Sequence, residues 1–381
     1  MSAATDLPWG GCTPQPDPAD EDAEGSPVPD LVLPAEPVEG LTWCTLRLAD
    51  RPGMDELQGF LRDHYVCGSR FRLHYTADLL RAALLAPGHK PRWHVGLRAE
   101  DGALAGCITA TPHRSTVRGR EVDVAVVNFL CVRGDRRQRQ LAAALVREVT
   151  RRIDERGGFH AVFTSSTHGL PSATEVQYRF APLDGEYLRG IGFLPAGRGD
   201  EVARALKRVR PLPEIELYDP GREDHLRDLA PRLHRAYSER ARLESAAVHL
   251  TLAQFRHLAG SPAVTLLYHR DTLDMALFFR LDSAPRSPHA GSGICALYLL
   301  LWARSPLPRG RSQRALSDYR FFIALLHALK RRRPGVHLVH TLGHEHSLLV
   351  PAASALRFCT YNVPPAAPGH PDTSHRFLLA F

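Results

Sequence analysis

No run of about 18 uninterrupted apolar residues occurs in this 381-residue chain, so no segment reads as a membrane-crossing helix. Paired cysteines are missing as well. There are seven cysteines, an odd number with no CxxC, and most of them sit inside apolar runs. That excludes a disulfide framework and points to a reducing compartment. The first residues lack an apolar signal core, so a cytoplasmic location is expected. Neither sign of charge dominates, with 48 Lys and Arg against 41 Asp and Glu. The net charge of +7 suits an anionic partner, and a phosphorylated cofactor meets that need without nucleic acid. Lys330 to Arg333 has no interleaved aromatics, which again argues against nucleic acid and leaves a favourable helix-end interaction. No HExxH occurs. His337, His340, His344, Glu345 and His346 cluster, but strand alternation would send His344 and His346 to the face opposite Glu345, so no metal is expected.

What is present is a globular body behind a polar arm. Residues 1 to 40 are rich in Pro, Asp, Glu and Gly and cannot form a core, although Trp9 is an expensive aromatic to leave in water. From Leu41 onward, with 44% apolar residues overall, the chain reads as folded. Helix-spaced apolars mark 54–63 and 77–85. Strand-like runs follow at 93–98 and 103–110, joined by the turn Glu100-Asp101-Gly102. The run 122–132 is nearly continuously apolar, as expected of a central strand covered on both faces. Leu141, Leu145, Val149 and Ile153 then recur every four residues, with Arg147, Glu148, Arg151 and Arg152 read onto the opposite face and Glu148–Arg152 spaced for an ion pair. A strand at 161–164 completes a right-handed strand-helix-strand crossover.

Past a Pro-containing connection at 207–218 the pattern repeats loosely. Helices are expected at 224–242 and 252–258, strands at 264–268, 275–281 and 294–302, a helix at 317–330 and a strand at 336–339. Two similar halves follow, 41–206 and 207–381, in an α+β fold whose mixed twisted sheet is flanked by helices. The loop between the strand 122–132 and its helix carries Arg133, Arg136, Arg137 and Arg139. A helix N-terminus with its unpaired N–H groups, backed by guanidinium groups, would hold a pyrophosphate. The plainer alternative is a solvated basic loop. The spacing Arg137, Gln140, Ala142 fits the Q/R-x-x-G-x-G/A loop of the coenzyme-A-binding acetyltransferase superfamily, with Gln140 where many members have Gly.

WHVGLR (93–98), VNFLCV (127–132), VREVTRR (146–152) and AVFTSS (161–166) follow one another at close to the spacing of N-myristoyltransferases, which this sequence resembles from about Leu41 to Phe193. LTWCTLRLAD and FRLHYTADLL also resemble that family's first helices. The resemblance implies two fused acetyltransferase (GNAT)-like halves, the first binding myristoyl-CoA and the second forming a peptide groove. It implies transfer of the acyl group to the N-terminal glycine amine of peptides or proteins by a monomer that touches membranes only peripherally. Backbone amides of Phe129 and Leu130 would form the oxyanion hole, the carboxylate of Phe381 would be the base, and Asn128 and Thr164 would position the amine. The acyl-CoA would contact Trp9 in the arm, then Cys131, Val132, Arg137, Gln138, Arg139, Gln140, Leu141 and Ala142. Tyr65, Val66, Phe71, Tyr75, Tyr178, Ser283 and Tyr298 would face the peptide.

The sequence departs from the family in its groove. Tyr65-Val66 leads into Cys67-Gly68-Ser69 with no carboxylate, and Tyr178-Arg179-Phe180-Ala181 replaces a Tyr-Trp-His-Arg run. LGHEHS stands where the family has an Asp-containing segment, and RFCTYN follows a shortened glycine loop. Peptide preference is therefore the least transferable property. Two alternatives stay open: an acyltransferase using another acyl chain or amine, and a non-catalytic homologue that binds acyl-CoA or peptide.

Overall fold

The structure is a computed structural model that describes residues 38–65, 71–117, 119–137, 140–154, 159–165, 173–195, 199–243, 247–285, 293–305, 311–342 and 350–361. The first half runs β1 (Leu41–Thr45), α1 (Arg51–His64), β2 (Phe71–His74), α2 (Ala77–Leu84), β3 (His94–Ala99), β4 (Leu104–Val117) and β5 (Arg120–Val132). It continues with α3 (Leu141–Ile153), β6 (His160–Ser165), β7 (Ala173–Pro182), α4 (Gly185–Gly190) and α5 (Asp200–Arg208). The second runs β8 (Ile215–Leu217), α6 (Ala230–Ala241), β9 (Ala247–His249), α7 (Leu252–Ala259), β10 (Val264–His269), β11 (Met275–Arg280) and β12 (Asp282–Pro285). It closes with β13 (Ala296–Ala303), α8 (Arg311–Arg332), β14 (Leu338–Leu342) and β15 (Val350–Tyr361).

One large sheet takes the order β1-β3-β4-β5-β6-β15-β7-β14-β13-β11-β10-β8, with β9 paired to β4. Read from either end, it repeats. Three antiparallel steps lead to β5 or β13, and one parallel step leads on to β6 or β14. Parallel neighbours need a long crossover, and α3 and α8 supply it. The sixth strands are exchanged: β15, from the end of the chain, pairs with β6, while β7, from the first half, pairs with β14. β7 and β15 then pair with each other and join the halves. β2 and β12 add a second link, with Leu73 opposite Ser283.

Three expectations are corrected. LTWCTLRLAD begins with a strand and not a helix: Leu41 to Thr45 pair with Ala99 to Val95, as suits a segment holding Trp43 between β-branched Thr42 and Thr45. FRLH in the next segment is likewise a strand, and the helix starts after the Thr76 cap, whose hydroxyl accepts from the Leu79 amide. Thirdly, β4 does not stop at Ala110 but passes through Pro112 to Val117. Pro112 pairs with Ala125 on one side. On its other edge β3 ends at Thr109 and β9 begins only at Arg114, so the missing N–H falls in a gap between neighbours.

α3 is held by the stripe read from the sequence. Leu141, Leu145 and Val149 pack on Val95, Leu97, Ile108 and Val132. Glu148 is not on the solvent face. It is 3% exposed and accepts from Arg151 Nε at 2.8 Å and Arg152 Nε at 2.6 Å. Arg152 in turn donates to Thr45 Oγ1 and the Arg92 carbonyl, tying α3 to β1. Burial pushes the Glu148 carboxyl up, but the two guanidinium groups outweigh it and hold it below its ordinary 4.5. A depressed carboxyl stabilises the fold fully above its unfolded value and loses that contribution as pH falls through the folded one. Urea titrations between pH 3 and 7 should therefore show a loss of stability below about pH 4.5 that is reduced in Glu148→Gln.

Candidate active site

The β5–β6 ladder ends at Val127 opposite Phe163. Beyond that rung the strands part, and Thr164 pairs only across to Phe358 on β15. At the same level β5 also breaks step with β4: Cys107 faces Cys131, then Thr109 faces Asn128, so Phe129 and Leu130 lie opposite the single residue Ile108. This is a β-bulge. Phe129 takes φ +53°, a conformation uncommon for any residue with a side chain and costing about 1–3 kcal/mol. Its ring, 1% exposed, is gripped edge-to-face by Tyr65 at 5.9 Å and Tyr75 at 5.3 Å. Leu130, on an interior strand, is 37% exposed, because the gap between β5 and β6 leaves it uncovered.

Two successive amides, Phe129 and Leu130, thus stand outside both ladders of β5 at the mouth of this gap. Asn128, 8% exposed, and half-buried Thr164 flank it on its two strands. Preorganised backbone donors of this kind stabilise a developing oxyanion.

α3 begins at Leu141, after Val132 and the arginine loop. Its first turn has no side-chain cap, so the amides of that turn stay available to an anion. The residue before it, Gln140, has φ +55°. A glycine would adopt that angle without strain, and Gln costs about 1–2 kcal/mol there. The loop arginines are partly engaged: Arg137 donates from Nη2 to the His64 carbonyl at the end of α1 and from Nε to the Val132 carbonyl, and Arg133 pairs with Asp135. Cys131 is buried within the β5 core, and Val132 packs under α3 beside Leu141 and Ala142.

The second half has the same parting without the same opening. β13 and β14 pair as far as Tyr298 and His340, and the β11–β13 ladder slips by one residue at Leu300. Here Phe279, Tyr298, His340 and Phe180 occupy one rung across four strands. Phe279 stacks on Tyr298 at 5.2 Å, Tyr298 stacks on His340 at 4.3 Å, and His340 tilts against Phe180 at 5.8 Å. Burial pushes His340 down to about 3, so the imidazole is neutral at ordinary pH. The corresponding rung of the first half is Ala110, Val127, Phe163 and Cys359. Rings take all four places of the second rung, whereas the first has one ring, Phe163, among smaller side chains.

Among the residues expected to face a peptide, Tyr65 and Tyr75 gather at Phe129, while Phe71 lies in the linking sheet and meets Phe193 at 6.3 Å. Ser283 lies opposite Leu73 in that same sheet, with Tyr298 in the aromatic rung. Trp9, Val66, Gln138, Arg139 and Phe381 lie outside the described residues, as does the side chain of Tyr178, whose backbone belongs to β7. Among the described residues no group of three or more His, Cys, Asp or Glu is placed to hold a metal. A recess of about 370 Å³ lined by Tyr218, Arg222, His225, Arg332 and Arg333 lies at the β8 edge, eight strands from the bulge.

Residues 27–175 match the family model described as "Myristoyl-CoA:protein N-myristoyltransferase, N-terminal domain". The glycylpeptide N-tetradecanoyltransferase of Emericella nidulans is 29% identical over 307 residues, covering 75% of this chain and 62% of that one. The probable glycylpeptide N-tetradecanoyltransferase of Caenorhabditis elegans is 34% identical over 178 residues, covering 46% and 39%. The chain thus spans about half the length of the curated relatives it matches. A crystal structure of Saccharomyces cerevisiae N-myristoyltransferase with bound myristoyl-CoA superposes with a TM-score of 0.75 at 20% identity, covering 97% of this chain and 94% of that one. The fold is the same.

Proposed function

We propose, from the match of residues 27–175 to the N-terminal domain of N-myristoyltransferases within a chain of that enzyme's fold, that this protein moves a long-chain acyl group, myristoyl, from acyl-CoA to an N-terminal glycine amine. The observation that carries the reading is the pair of bulge amides at the open parting of β5 and β6, one short loop before the uncapped start of α3.

In this reading the pyrophosphate of acyl-CoA rests on the first turn of α3, at Leu141 and Ala142, with the Arg137–Gln140 loop and Trp9 of the arm around it. The thioester lies along β5 past Cys131 and Val132, with its carbonyl oxygen toward the Phe129 and Leu130 amides. Asn128 and Thr164 orient the attacking amine from the two sides of the parting. The neutral amine nitrogen attacks the thioester carbon and the negative charge collects on oxygen; the carbonyl then re-forms as the C–S bond breaks, and coenzyme A leaves as the thiol with the proton shed by the nitrogen. Because an ammonium cannot attack, a base must take a proton first. The resemblance assigns that role to the carboxylate of Phe381. The peptide approaches past Tyr65, Val66, Phe71, Tyr75, Tyr178, Ser283 and Tyr298. The setting is a cytoplasmic monomer with at most peripheral membrane contact; no described helix is long and apolar enough to cross a membrane.

Incubation with acyl-CoAs of several chain lengths and paired Gly-starting and Ala-starting peptides tests this. Free thiol and a new amide on the glycine nitrogen should appear together, and best with the fourteen-carbon chain expected of a tetradecanoyl donor. Thiol release without amide, or neither product with any chain length, would overturn the proposal.

A further inference from the structure

Two β4 side chains hold the bulge by its carbonyls. Thr109 Oγ1, fully buried, donates to the Asn128 carbonyl at 2.9 Å. Cys107 Sγ, also fully buried, donates to the Phe129 carbonyl at 3.5 Å. They are the ladder residues on either side of the slip. A trans peptide unit is a rigid plane whose C=O and N–H point in opposite directions. The plane that ends in the Asn128 carbonyl begins the Phe129 amide, and the plane of the Phe129 carbonyl carries the Leu130 amide. Fixing each oxygen toward β4 therefore aims each hydrogen away from β4, toward the parting with β6.

We infer that Thr109 and Cys107 are positioning residues that clamp the two peptide planes whose amides form the oxyanion hole. The inference rests on the acyl-transfer reading for its consequence, but on geometry alone for the clamp itself. A regular strand would share these amides with a neighbour; a bulge leaves the planes free to tilt, and side-chain hydrogen bonds are what limit that tilt. The strained φ of Phe129 needs such over-determination. Burial raises the Cys107 pKa well above its ordinary value, so its sulfur keeps the proton it donates. Both residues are fully buried on interior β4 and act through the β5 carbonyls, so their effect should be on rate and not on ground-state binding.

The test is Thr109→Val, which removes the donor and keeps the shape, beside Thr109→Ser, which restores it. Thr109→Val should lower kcat by about 10- to 100-fold, below the 10²–10³ lost when an oxyanion donor itself is removed, with KM and acyl-CoA affinity little changed. Thr109→Ser should recover most of the loss, and Cys107→Ala should show a smaller fall because a thiol is the weaker donor. An unchanged kcat in Thr109→Val overturns the inference, as does a loss that Thr109→Ser fails to rescue. The second readout needs no turnover: the amide ¹H–¹⁵N resonances of Phe129 and Leu130. They should move in Thr109→Val while those of α3 stay in place, and unmoved resonances would overturn the clamp. Should the wild-type chain transfer no acyl group, the acyl-transfer reading fails while these resonances still decide the clamp.

Discussion

Phe129→Val should lower acyl transfer by about 10²-fold or more, whereas Phe129→Gly, which deletes more of the side chain, should lower it less. Both variants lose the ring that Tyr65 and Tyr75 hold edge-to-face, and both should be destabilised by about 3–5 kcal/mol, as is usual for emptying a buried aromatic site. They differ in what they ask of the backbone. At φ +53° a β-branched residue is a genuine outlier, while glycine enters that region about as readily as any other. Valine should pull the bulge toward regular strand geometry and turn the Phe129 and Leu130 amides out of place; glycine should let them stay. The comparison is made as kcat per folded protein, at a temperature well below both unfolding midpoints. Equal losses would mean that the bulge's conformation has no part in the rate.

Ala143→Asp should separate ligand binding from folding. Ala143 is the third residue of α3, in the first turn, where a carboxylate favours the helix by up to about 1 kcal/mol. The same charge would sit some 5–6 Å from a pyrophosphate bound at that turn and oppose it by about 2 kcal/mol or more, roughly a 30-fold weakening. Calorimetry should show a higher Kd for both CoA and acyl-CoA, with thermal stability unchanged or slightly raised. Ala143→Asn, similar in size and uncharged, should bind almost as the wild type does. An unchanged Kd in Ala143→Asp would remove the phosphate from α3.

Periodic features were legible in the sequence, and long-range ones were not. The stripe Leu141, Leu145, Val149 located α3, and the Glu148–Arg152 spacing located an ion pair formed at 2.6 Å. The side of the helix was misread for Glu148, because a carboxylate is placed outside by default and only the approach of Arg151 and Arg152 makes its burial tolerable. α8 was found in its middle but not at its ends; Phe321 to Leu326 are buried all round, which erases the polar face that marks a helix boundary. β1 was taken for helix on the family resemblance alone, because five residues are too few to show a period of their own. The exchange of β7 and β15 has no local sign at all, since a strand's partner is chosen by the sheet edge it reaches.

The site divides in the same way. A run of arginines before an amphipathic helix was visible and led to the proposed phosphate loop, and Gln140 stood out as an unusual residue at a position whose positive φ suits glycine. The bulge was not derivable, because the groups it exposes are backbone amides that any residue carries. The alternation in Cys107-Ile108-Thr109 puts two small polar groups on one side of a strand, but nothing in it says that they reach over to the carbonyls of β5.

The most direct measurement of the central claim is isotope-edited infrared spectroscopy of myristoyl-CoA carrying ¹³C at its thioester carbonyl, bound without any peptide. A carbonyl seated on the Phe129 and Leu130 amides should absorb at lower frequency than the same thioester in water, and the shift should shrink in Thr109→Val. A band that stays at its solution frequency, or moves to higher frequency as in an apolar pocket, would contradict the account.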